Sequence, residues 1–268
     1  MDPKISVLMG IYNCAATLGE AIGCILAQTE TRWELILCDD GSRDDTYAVA
    51  ESFRRQYPDR IVLLRNEKNM GLNHTLNRCL AAARGEFVAR MDGDDLCDPD
   101  RFARQLAVLE TDPNLAVVST AMTYFDEGGT WGRCHVKPRP EKTDFLYGTP
   151  FCHGACMVRR QAMVAVGGYT EEERFLRVED YDLWVKLYAA GYRGVNIDDA
   201  LYHMRDGRDA ISRRKFCYRL NEAGAITKAV RVLKLPLWGY VRALRPILVG
   251  LLPMPVYTVL HKKRLGRN

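Results

Sequence analysis

Three carboxylates fall within four residues of the chain, at Asp92, Asp94 and Asp95. They follow the apolar run Phe87-Val88-Ala89, a pattern typical of a buried strand that ends in a polar turn. Carboxylates packed this closely repel one another unless a cation lies among them. Hard oxygen ligands on a short turn suit Mg²⁺ or Mn²⁺, which commonly also take oxygens from a substrate phosphate. The turn therefore indicates metal-assisted chemistry on a phosphorylated substrate, although ordinary polar turns also produce such short acidic motifs.

A second acidic group, Glu179-Asp180, opens a segment with helical periodicity over residues 181–190. A carboxylate at the start of an amphipathic helix can point into a cleft and accept a proton from a hydroxyl group. The alternative is a purely structural role, because negative charge at a helix N-terminus complements the helix dipole.

The amino-acid composition limits the kinds of protein that this chain can be. Hydrophobic residues make up 47% of the 268 residues, enough for one large domain, alone or with an appendage. Nine cysteines occur without a Cys-x-x-Cys pair, which favours reduced thiols in a cytosolic protein over a disulfide framework. No second cluster completes Cys152, His153 and Cys156 as a zinc site. The first residues enter a strand pattern at once, so we expect no signal peptide.

Strand and helix patterns alternate over the first 120 residues. Apolar strand patterns occupy residues 5–9, 34–38, 61–64, 87–91 and 116–119, and helical patterns lie between them. A capping box at Thr17 and Glu20 predicts the start of the first helix, and Ser42 is the expected N-cap of the second. Repeated strand–helix–strand units with nearly continuous apolar strands predict an α/β fold, with a mostly parallel sheet flanked by helices.

Polar clusters follow each of the first four strands, at residues 10–13, 39–42, 66–71 and 92–95. Ligands of such sheets bind outside the carboxyl ends of the strands. Loops at strand ends are often polar without any function, but four such clusters in succession predict one shared binding edge.

The C-terminal segment has a different charge from the rest. After Glu222 there is no acidic residue, whereas 29 basic and 34 acidic residues precede that point. The basic residues of the tail are Lys228, Arg231, Lys234, Arg242, Arg245, Lys262, Lys263, Arg264 and Arg267. Such a tail indicates an anionic partner, either a membrane or a nucleic acid.

The apolar residues of the tail favour the membrane. Its longest uncharged stretch, residues 246–260, has 15 residues with three prolines, short of the roughly 20 apolar residues that a spanning helix needs. A basic helix with interleaved apolar and aromatic residues fits the headgroup region of an anionic leaflet. Packing on the protein itself or a homodimer contact are the alternatives. A nucleic-acid contact is disfavoured, because the tail's aromatics lie among aliphatic rather than basic residues.

Taken in order, these motifs resemble those of the family 2 glycosyltransferases, inverting nucleotide-sugar enzymes of the GT-A (Rossmann-like) fold. The matching segments are Ile5-Ser6-Val7-Leu8-Met9-Gly10-Ile11-Tyr12-Asn13, Cys38-Asp39-Asp40-Gly41-Ser42, Asn66-Glu67-Lys68-Asn69-Met70-Gly71-Leu72, the acidic turn, Pro99 with Arg101, and Glu179-Asp180-Tyr181-Asp182-Leu183-Trp184. The resemblance covers about residues 4–215. More loosely, the tail is similar to that of members that build bacterial capsular and exopolysaccharides.

The resemblance implies a GT-A catalytic domain over residues 1–215 and a basic amphipathic helical tail over residues 216–268. Within the domain, residues 1–120 would form the nucleotide-sugar half and residues 121–215 the acceptor half. The implied site residues are Gly10 and Tyr12 at the nucleoside, Asp40 at the base of the nucleotide, Gly71 and Asp92 in further nucleotide contacts, Asp92 and Asp94 at the metal, and Asp180 as the catalytic base.

Five further residues are candidates for substrate contacts. Arg205 and Arg208 could neutralise a diphosphate, or could lie on a solvated basic loop. Glu179, His153 and Trp184 could contact the acceptor. The alternatives are the helix terminus for Glu179 and the protein core for the other two.

We therefore expect Mn²⁺- or Mg²⁺-dependent, inverting transfer of a sugar from a UDP-linked or similar donor. The acceptor would be a hydroxyl of a glycan or a polyprenyl-diphosphate-linked sugar, in bacterial surface polysaccharide synthesis at the inner face of the cytoplasmic membrane. A sugar nucleotidyltransferase remains an alternative, although the loop after the first strand lacks the Lys and Arg that such enzymes use. A non-catalytic nucleotide-binding protein is the other alternative.

Overall fold

The computed structural model describes residues 2–206 and 215–252, and within these ranges nine strands form one sheet. The strands are β1 (Ile5–Ile11), β2 (Trp33–Asp39), β3 (Ile61–Arg65), β4 (Phe87–Arg90), β5 (Leu96–Cys97), β6 (Leu115–Asp126), β7 (Gly129–Arg133), β8 (Met157–Arg159) and β9 (Arg193–Arg205). The α-helices of the same ranges are α1 (Ala15–Leu26), α2 (Thr46–Gln56), α3 (Leu72–Ala82), α4 (Arg101–Thr111), α5 (Arg160–Ala165), α6 (Glu179–Ala189), α7 (Phe216–Val232) and α8 (Gly239–Gly250). The alternation predicted for the first 120 residues is confirmed, and the short strand expected at residues 116–119 is part of the longer β6.

The strand order is β3-β2-β1-β4-β8-β6-β9-β5, with β7 paired to β6. The first four strands of this order are parallel, as is the long β6–β9 ladder. Strand β8 is antiparallel to both β4 and β6. This confirms a mixed, mostly parallel sheet, and β8 joins the two halves of the chain into that one sheet.

Apolar clusters cover both faces of the sheet. In β1, Val7 and Met9 belong to one cluster, together with α1 and α4 residues such as Phe102. Leu8, on the opposite face, belongs to the other cluster, together with α3 and α6 residues such as Trp184. This arrangement follows from the alternation of side chains along a strand, and it confirms helices on both faces.

Two predicted helix caps are wrong. Helix α1 begins at Ala15, so Thr17 lies inside its first turn, and its hydroxyl donates to the Gly93 carbonyl at 3.0 Å. Helix α2 begins at Thr46, and the Ser42 hydroxyl instead accepts the Asn13 N–H at 3.0 Å. Both side chains connect neighbouring loops at the strand ends rather than capping a helix.

The two C-terminal helices pack against the body of the protein. Ala225, Ala229 and Val230 of α7 belong to the same cluster as α6, and Lys228 donates a hydrogen bond to the buried Asp182 of α6. Among the described residues, no helix is long and apolar enough to cross a membrane. The part of the predicted tail after residue 252 lies outside the described residues.

Candidate active site

The loops at the carboxyl ends of β1 and β2 interlock. The Asn13 side chain accepts the Arg43 N–H at 2.9 Å, and the Asn13 N–H reaches Ser42. Asn13 has a φ of 49°, a left-handed conformation that Asn adopts more readily than most residues. These polar loops therefore meet at one edge of the sheet, as their positions in the sequence predicted.

Asp40 connects the β2 loop to the loop after β3. It is buried, and its Oδ1 accepts the Asn66 side-chain amide and the Met70 N–H, both at 2.7 Å. Its Oδ2 accepts the Gly71 N–H at 2.9 Å. An ionised carboxylate has about four lone-pair positions, so Oδ2 retains capacity for one more donor. Asp40 thus orders the approach to α3 and can still accept a hydrogen bond from a ligand.

The other candidate nucleotide contacts surround this loop. A Cβ at Gly10 would lie 3.1 Å from Thr75, so the missing side chain lets α3 approach β1 closely. Tyr12 is 43% exposed at the end of β1. Gly71 has a φ of 90° and faces open space, a conformation that glycine adopts without strain.

The three carboxylates of the acidic turn have different surroundings. Asp92 Oδ1 accepts a hydrogen bond from Arg90 Nη2 at 2.5 Å. Asp94 is exposed, and no described side chain pairs with its carboxylate. Asp95 is buried, where its Oδ2 accepts the Tyr202 hydroxyl at 2.6 Å and its Oδ1 the Arg205 N–H at 2.7 Å. Asp92 and Asp94 are therefore the pair available to a ligand, and Asp95 connects the turn to β9.

Electrostatics distinguish the same carboxylates. Partial loss of hydration raises the pKa of Asp94, with the negative charge of Asp92 as the second cause. Burial, followed by the charge of Asp92, raises the pKa of Asp95 to about 7. Crowded carboxylates of this kind favour a bound cation.

Two carboxylates on one turn fit Mg²⁺ or Mn²⁺ when a substrate supplies phosphate oxygens as further ligands. Across the described ranges, no three His, Cys, Asp or Glu side chains form a complete metal site by themselves. The donor set therefore suits a metal shared with a substrate rather than a permanent structural ion.

Two buried arginines position the turn, and sequence reasoning did not assign them this role. The Arg90 side chain is 5% exposed, and burial acts to lower its pKa. The combined effects of Asp92, Tyr169 and Tyr202 nevertheless hold that pKa above the ordinary value. Arg101 is fully buried and donates to the carbonyls of Arg90 at 2.8 Å and Gly154 at 3.0 Å. A charged residue ending an apolar strand was the available signal for Arg90.

Gly93, the middle residue of the Asp92–Asp94 motif, has no room for a side chain. A Cβ there would lie 2.9 Å from Cys14 Sγ and 3.1 Å from Ile11. The motif therefore packs directly on the end of β1, next to the loop that carries Tyr12.

Asp180 lies in the first turn of α6 beside Glu179. Burial raises the pKa of Asp180, and interaction with the Thr149 hydroxyl acts in the opposite direction. Burial, then the charge of Asp180, raises the pKa of Glu179 to about 7. Neither side chain forms an ion pair within the described residues. A carboxylate of raised pKa without a cationic partner is suited to accepting a proton.

His153 and Trp184 line one small pocket together with Arg90 and Tyr169. His153 Nε2 is 2.7 Å from the Tyr169 hydroxyl. Burial lowers the pKa of His153 well below its ordinary value, with the charge of Arg90 as the second cause, so the ring is neutral. Trp184 is 1% exposed and packs edge-on against Phe151 at 5.5 Å. Trp184 is thus in the core, whereas His153 has a polar partner in Tyr169.

Arg205 lies against the acidic turn. Its Nε donates to the Asp94 carbonyl at 3.0 Å, its Nη2 donates to Glu20 at 2.6 Å, and its guanidinium lies 4.7 Å from the Phe125 ring centroid. It brings positive charge next to the two available carboxylates. The other predicted diphosphate contact, Arg208, lies outside the described residues.

Comparison with known proteins decides the family. Residues 6–167 match the family model described as Glycosyl transferase family 2. The chain belongs to glycosyltransferase family 2. Enzymes of this family generally invert the anomeric centre. The resemblance drawn from the motifs is therefore confirmed, and the nucleotidyltransferase alternative is excluded.

Three relatives match the family 2 chain along almost all of its length. EpsE of Bacillus subtilis, which carries the name of a glycosyltransferase, is 44% identical over 98% of this chain and 95% of its own. The amylovoran biosynthesis glycosyltransferase AmsE of Erwinia amylovora is 28% identical, over 96% of this chain and 98% of its own. The UDP-Gal:alpha-D-GlcNAc-diphosphoundecaprenol beta-1,3-galactosyltransferase of Escherichia coli is 30% identical, over 99% and 98%.

Solved structures share the fold of this family 2 enzyme. The mannosyltransferase PcManGT of Pyrobaculum calidifontis, in complex with GDP-Man and Mn²⁺, aligns with a TM-score of 0.65 and 20% identity over 98% of this chain and 80% of its own. Residues 1–349 of S. aureus TarS, in complex with UDP, align with a TM-score of 0.66 and 18% identity over 97% and 87%. The GT-A-like fold is confirmed.

Proposed function

We propose that this chain transfers a sugar from a UDP-sugar to a hydroxyl of a glycan or of a polyprenyl-diphosphate-linked sugar, in bacterial surface polysaccharide synthesis. Two relatives support UDP as the nucleotide of the donor: the E. coli enzyme named for UDP-Gal, and TarS in complex with UDP. PcManGT, in complex with GDP-Man, is a relative with a different nucleotide. The lipid-linked acceptor is supported by the same E. coli relative, and the polysaccharide by AmsE. The reaction inverts the anomeric carbon.

The observation that carries this proposal is the convergence of both acidic regions on Tyr169. Tyr169 lines one small pocket together with Arg90, His153 and Trp184 of α6, and its hydroxyl lies 2.7 Å from His153 Nε2. Burial raises the pKa of the Tyr169 hydroxyl, and the charges of Arg90, Glu179 and Asp180 also act on it. Arg90 is also hydrogen-bonded to Asp92. The donor-side turn and the α6 carboxylates therefore flank one buried cluster, as a transfer between two substrates requires.

Asp180 is the proposed base. The acceptor hydroxyl loses its proton to the Asp180 carboxylate while its oxygen forms a bond to the anomeric carbon. The bond from that carbon to the diphosphate oxygen breaks, and the nucleoside diphosphate leaves with the electron pair. A positioned carboxylate typically contributes roughly 10²–10⁴-fold to such a step. Glu179 and the neutral His153 contact the acceptor, and Trp184 supports them from the core.

The donor binds along the strand-end loops. Tyr12 and the backbone at Gly10 and Gly71 border the nucleoside, and Asp40 accepts a hydrogen bond from the uracil N–H through the free capacity of its Oδ2. Asp92 contributes to the sugar-nucleotide contacts.

Asp92 and Asp94 would hold Mn²⁺ or Mg²⁺ together with the donor's diphosphate. The ion would supply Lewis-acid neutralisation of the charge that develops on the leaving group. Arg205 adds positive charge at the same turn, with Arg208 as a further proposed contact. We also retain the proposed division into a catalytic domain over residues 1–215 and a helical tail over residues 216–268.

Thermal unfolding with UDP, GDP and ADP, each with and without Mn²⁺, tests the donor class. A ligand that binds only the folded state stabilises it by about 2.7 kcal/mol at 100 times its Kd. We expect the largest rise in melting temperature from UDP with Mn²⁺. Equal shifts for all three nucleotides, or no shift, would contradict a UDP-sugar donor.

A further inference from the structure

The outer side of α8 carries an apolar stripe, formed by Leu237, Val241, Leu244, Leu248 and Leu251. These residues recur every three or four positions and so lie on one side of the helix and its ends. Their exposure ranges from 54% at Leu244 to 80% at Leu237. An exposed apolar surface of this extent marks a contact with a membrane or another protein.

The opposite side of α8 is already covered. Gly239, Ala243 and Pro246 are buried, and a Cβ at Gly239 would lie 2.7 Å from Val230 of α7. The helix is thus apolar on two sides, and only the inner side packs on described parts of the protein. The α8 stripe is therefore not needed for the packing of the helix.

Charge decides between possible partners. Arg231, Lys234 and Arg245 are exposed in the same two-helix segment, and the chain has no acidic residue after Glu222. A two-fold contact between copies would pair this basic surface with itself, which like-charge repulsion opposes. An anionic lipid surface attracts it, by about 1 kcal/mol per Lys or Arg close to the headgroups.

Aromatic residues support the same partner. Trp238 is 49% exposed and Tyr240 41% exposed, both at the start of α8. Trp and Tyr favour the boundary between water and acyl chains, because their rings combine an apolar body with a polar group. Their position beside an apolar stripe fits a helix lying in the plane of a membrane surface.

The α8 stripe is also connected to the acceptor side of the site. The Arg242 guanidinium lies 4.5 Å from the Tyr147 ring centroid. Tyr147 is two residues after Phe145, whose carbonyl accepts a hydrogen bond at 2.6 Å from the hydroxyl of Tyr181, the residue that follows Asp180. A surface on which α8 rests would therefore lie near the proposed base.

We infer that the α8 stripe docks on an anionic lipid membrane and presents the Asp180 side of the site to lipid-linked acceptors. The acceptor class in this statement rests on the proposed function, whereas the docking itself does not. Attachment combines apolar insertion with attraction of the basic residues to acidic headgroups.

Vesicle flotation of the full chain tests the inference. The wild-type chain should float with phosphatidylglycerol-containing vesicles and much less with pure phosphatidylcholine. Leu244→Glu should lower the partition coefficient at least about ten-fold, because it places a charge in the inserted face. Val164→Glu on α5 is the matched control, since Val164 is also 54% exposed, and it should leave flotation unchanged. Salt near about 0.5 M should weaken binding without abolishing it.

Three results would overturn the inference. They are a wild-type chain that does not float on anionic vesicles, equal losses in the two glutamate variants, and a wild-type dimer that Leu244→Glu converts to a monomer without any lipid dependence. UDP-induced thermal stabilisation should be the same in Leu244→Glu and wild type. Failure of docking with intact UDP binding is thereby distinguished from failure of the proposed function.

Discussion

The acidic turn and the start of α6 both place two aspartate or glutamate side chains close together, but the two pairs differ in their ion-pair partners and in their exposure. In the turn, Asp92 is paired with Arg90 at 2.5 Å and Asp94 is exposed. On α6, Glu179 and Asp180 are half-buried and have no ion-pair partner among the described residues. Burial is the leading cause of the raised pKa of both α6 carboxylates, although the N-terminus of a helix favours negative charge.

The difference separates two kinds of carboxylate chemistry. Two neighbouring carboxylates on an accessible turn can share a cation with a phosphorylated ligand. A shielded carboxylate without a cationic partner gains basicity and can take a proton from a neutral hydroxyl.

Asp94→Ala should have the largest effect, a loss of transfer of roughly 10³-fold, because a bound cation contributes several kcal/mol of charge stabilisation. The measurement is UDP release in the presence of acceptor and Mn²⁺. Asp59→Ala is the control, since Asp59 is exposed beside the opposite end of β3, and it should retain wild-type turnover. Normal transfer by Asp94→Ala would show that Asp94 is not a metal ligand.

Asp180→Asn should lower kcat by roughly 10²-fold or more, because the amide cannot accept the hydroxyl proton. The donor KM should stay within a few-fold of wild type, since the role proposed for Asp180 is to accept a proton from the acceptor. Steady-state kinetics with saturating acceptor separates the two parameters. Turnover like that of wild type would exclude Asp180 as the base.

Glu179→Gln should have the smallest effect and should appear in stability. The pKa of Glu179 is about 7 in the folded state against 4.5 in the reference state, so the folded protein holds more protons between these values. Stability from this group is therefore lost as pH rises from about 4.5 to 7. At pH 8 the variant should be more stable than wild type by about 1–2 kcal/mol, after discounting for solvent access.

Urea unfolding at pH 4 and pH 8 checks this prediction. At pH 4 the difference should nearly vanish, because Glu179 is then mostly protonated in both states. The exposed Glu127→Gln serves as the control and should show no pH-dependent difference. A variant less stable than wild type at pH 8 would contradict the raised pKa.

The apolar patterns of the sequence predicted the parallel part of the sheet, because buried parallel strands leave a continuous hydrophobic signal. They did not predict that β8, only three residues long, would lie antiparallel between β4 and β6. Such a short strand has too few residues for a periodicity to be read. The pairing depends on contacts between segments that are distant in the chain.

The site was predictable to the same extent. Spacing and resemblance made Asp92, Asp94 and Asp180 candidates for the site. They did not predict the hydrogen bond between Tyr202 and Asp95, which joins residues 107 positions apart. Thr17 and Ser42 were assigned as helix caps because cap preferences are local, whereas tertiary contacts recruited both side chains. The burial and the hydrogen-bond partners of these carboxylates, on which their proposed roles rest, depend on the folded structure and could not be read from the sequence.

The most direct test of whether the two regions have different roles is calorimetric titration of UDP into Asp94→Ala and Asp180→Asn, each with and without Mn²⁺. Mn²⁺ should strengthen UDP binding in Asp180→Asn as it does in wild type, and it should have no effect on UDP binding in Asp94→Ala. If Asp180→Asn lost the Mn²⁺-dependent affinity and Asp94→Ala kept it, or if both variants behaved alike, the assignment of cation binding to the turn and proton acceptance to α6 would be contradicted.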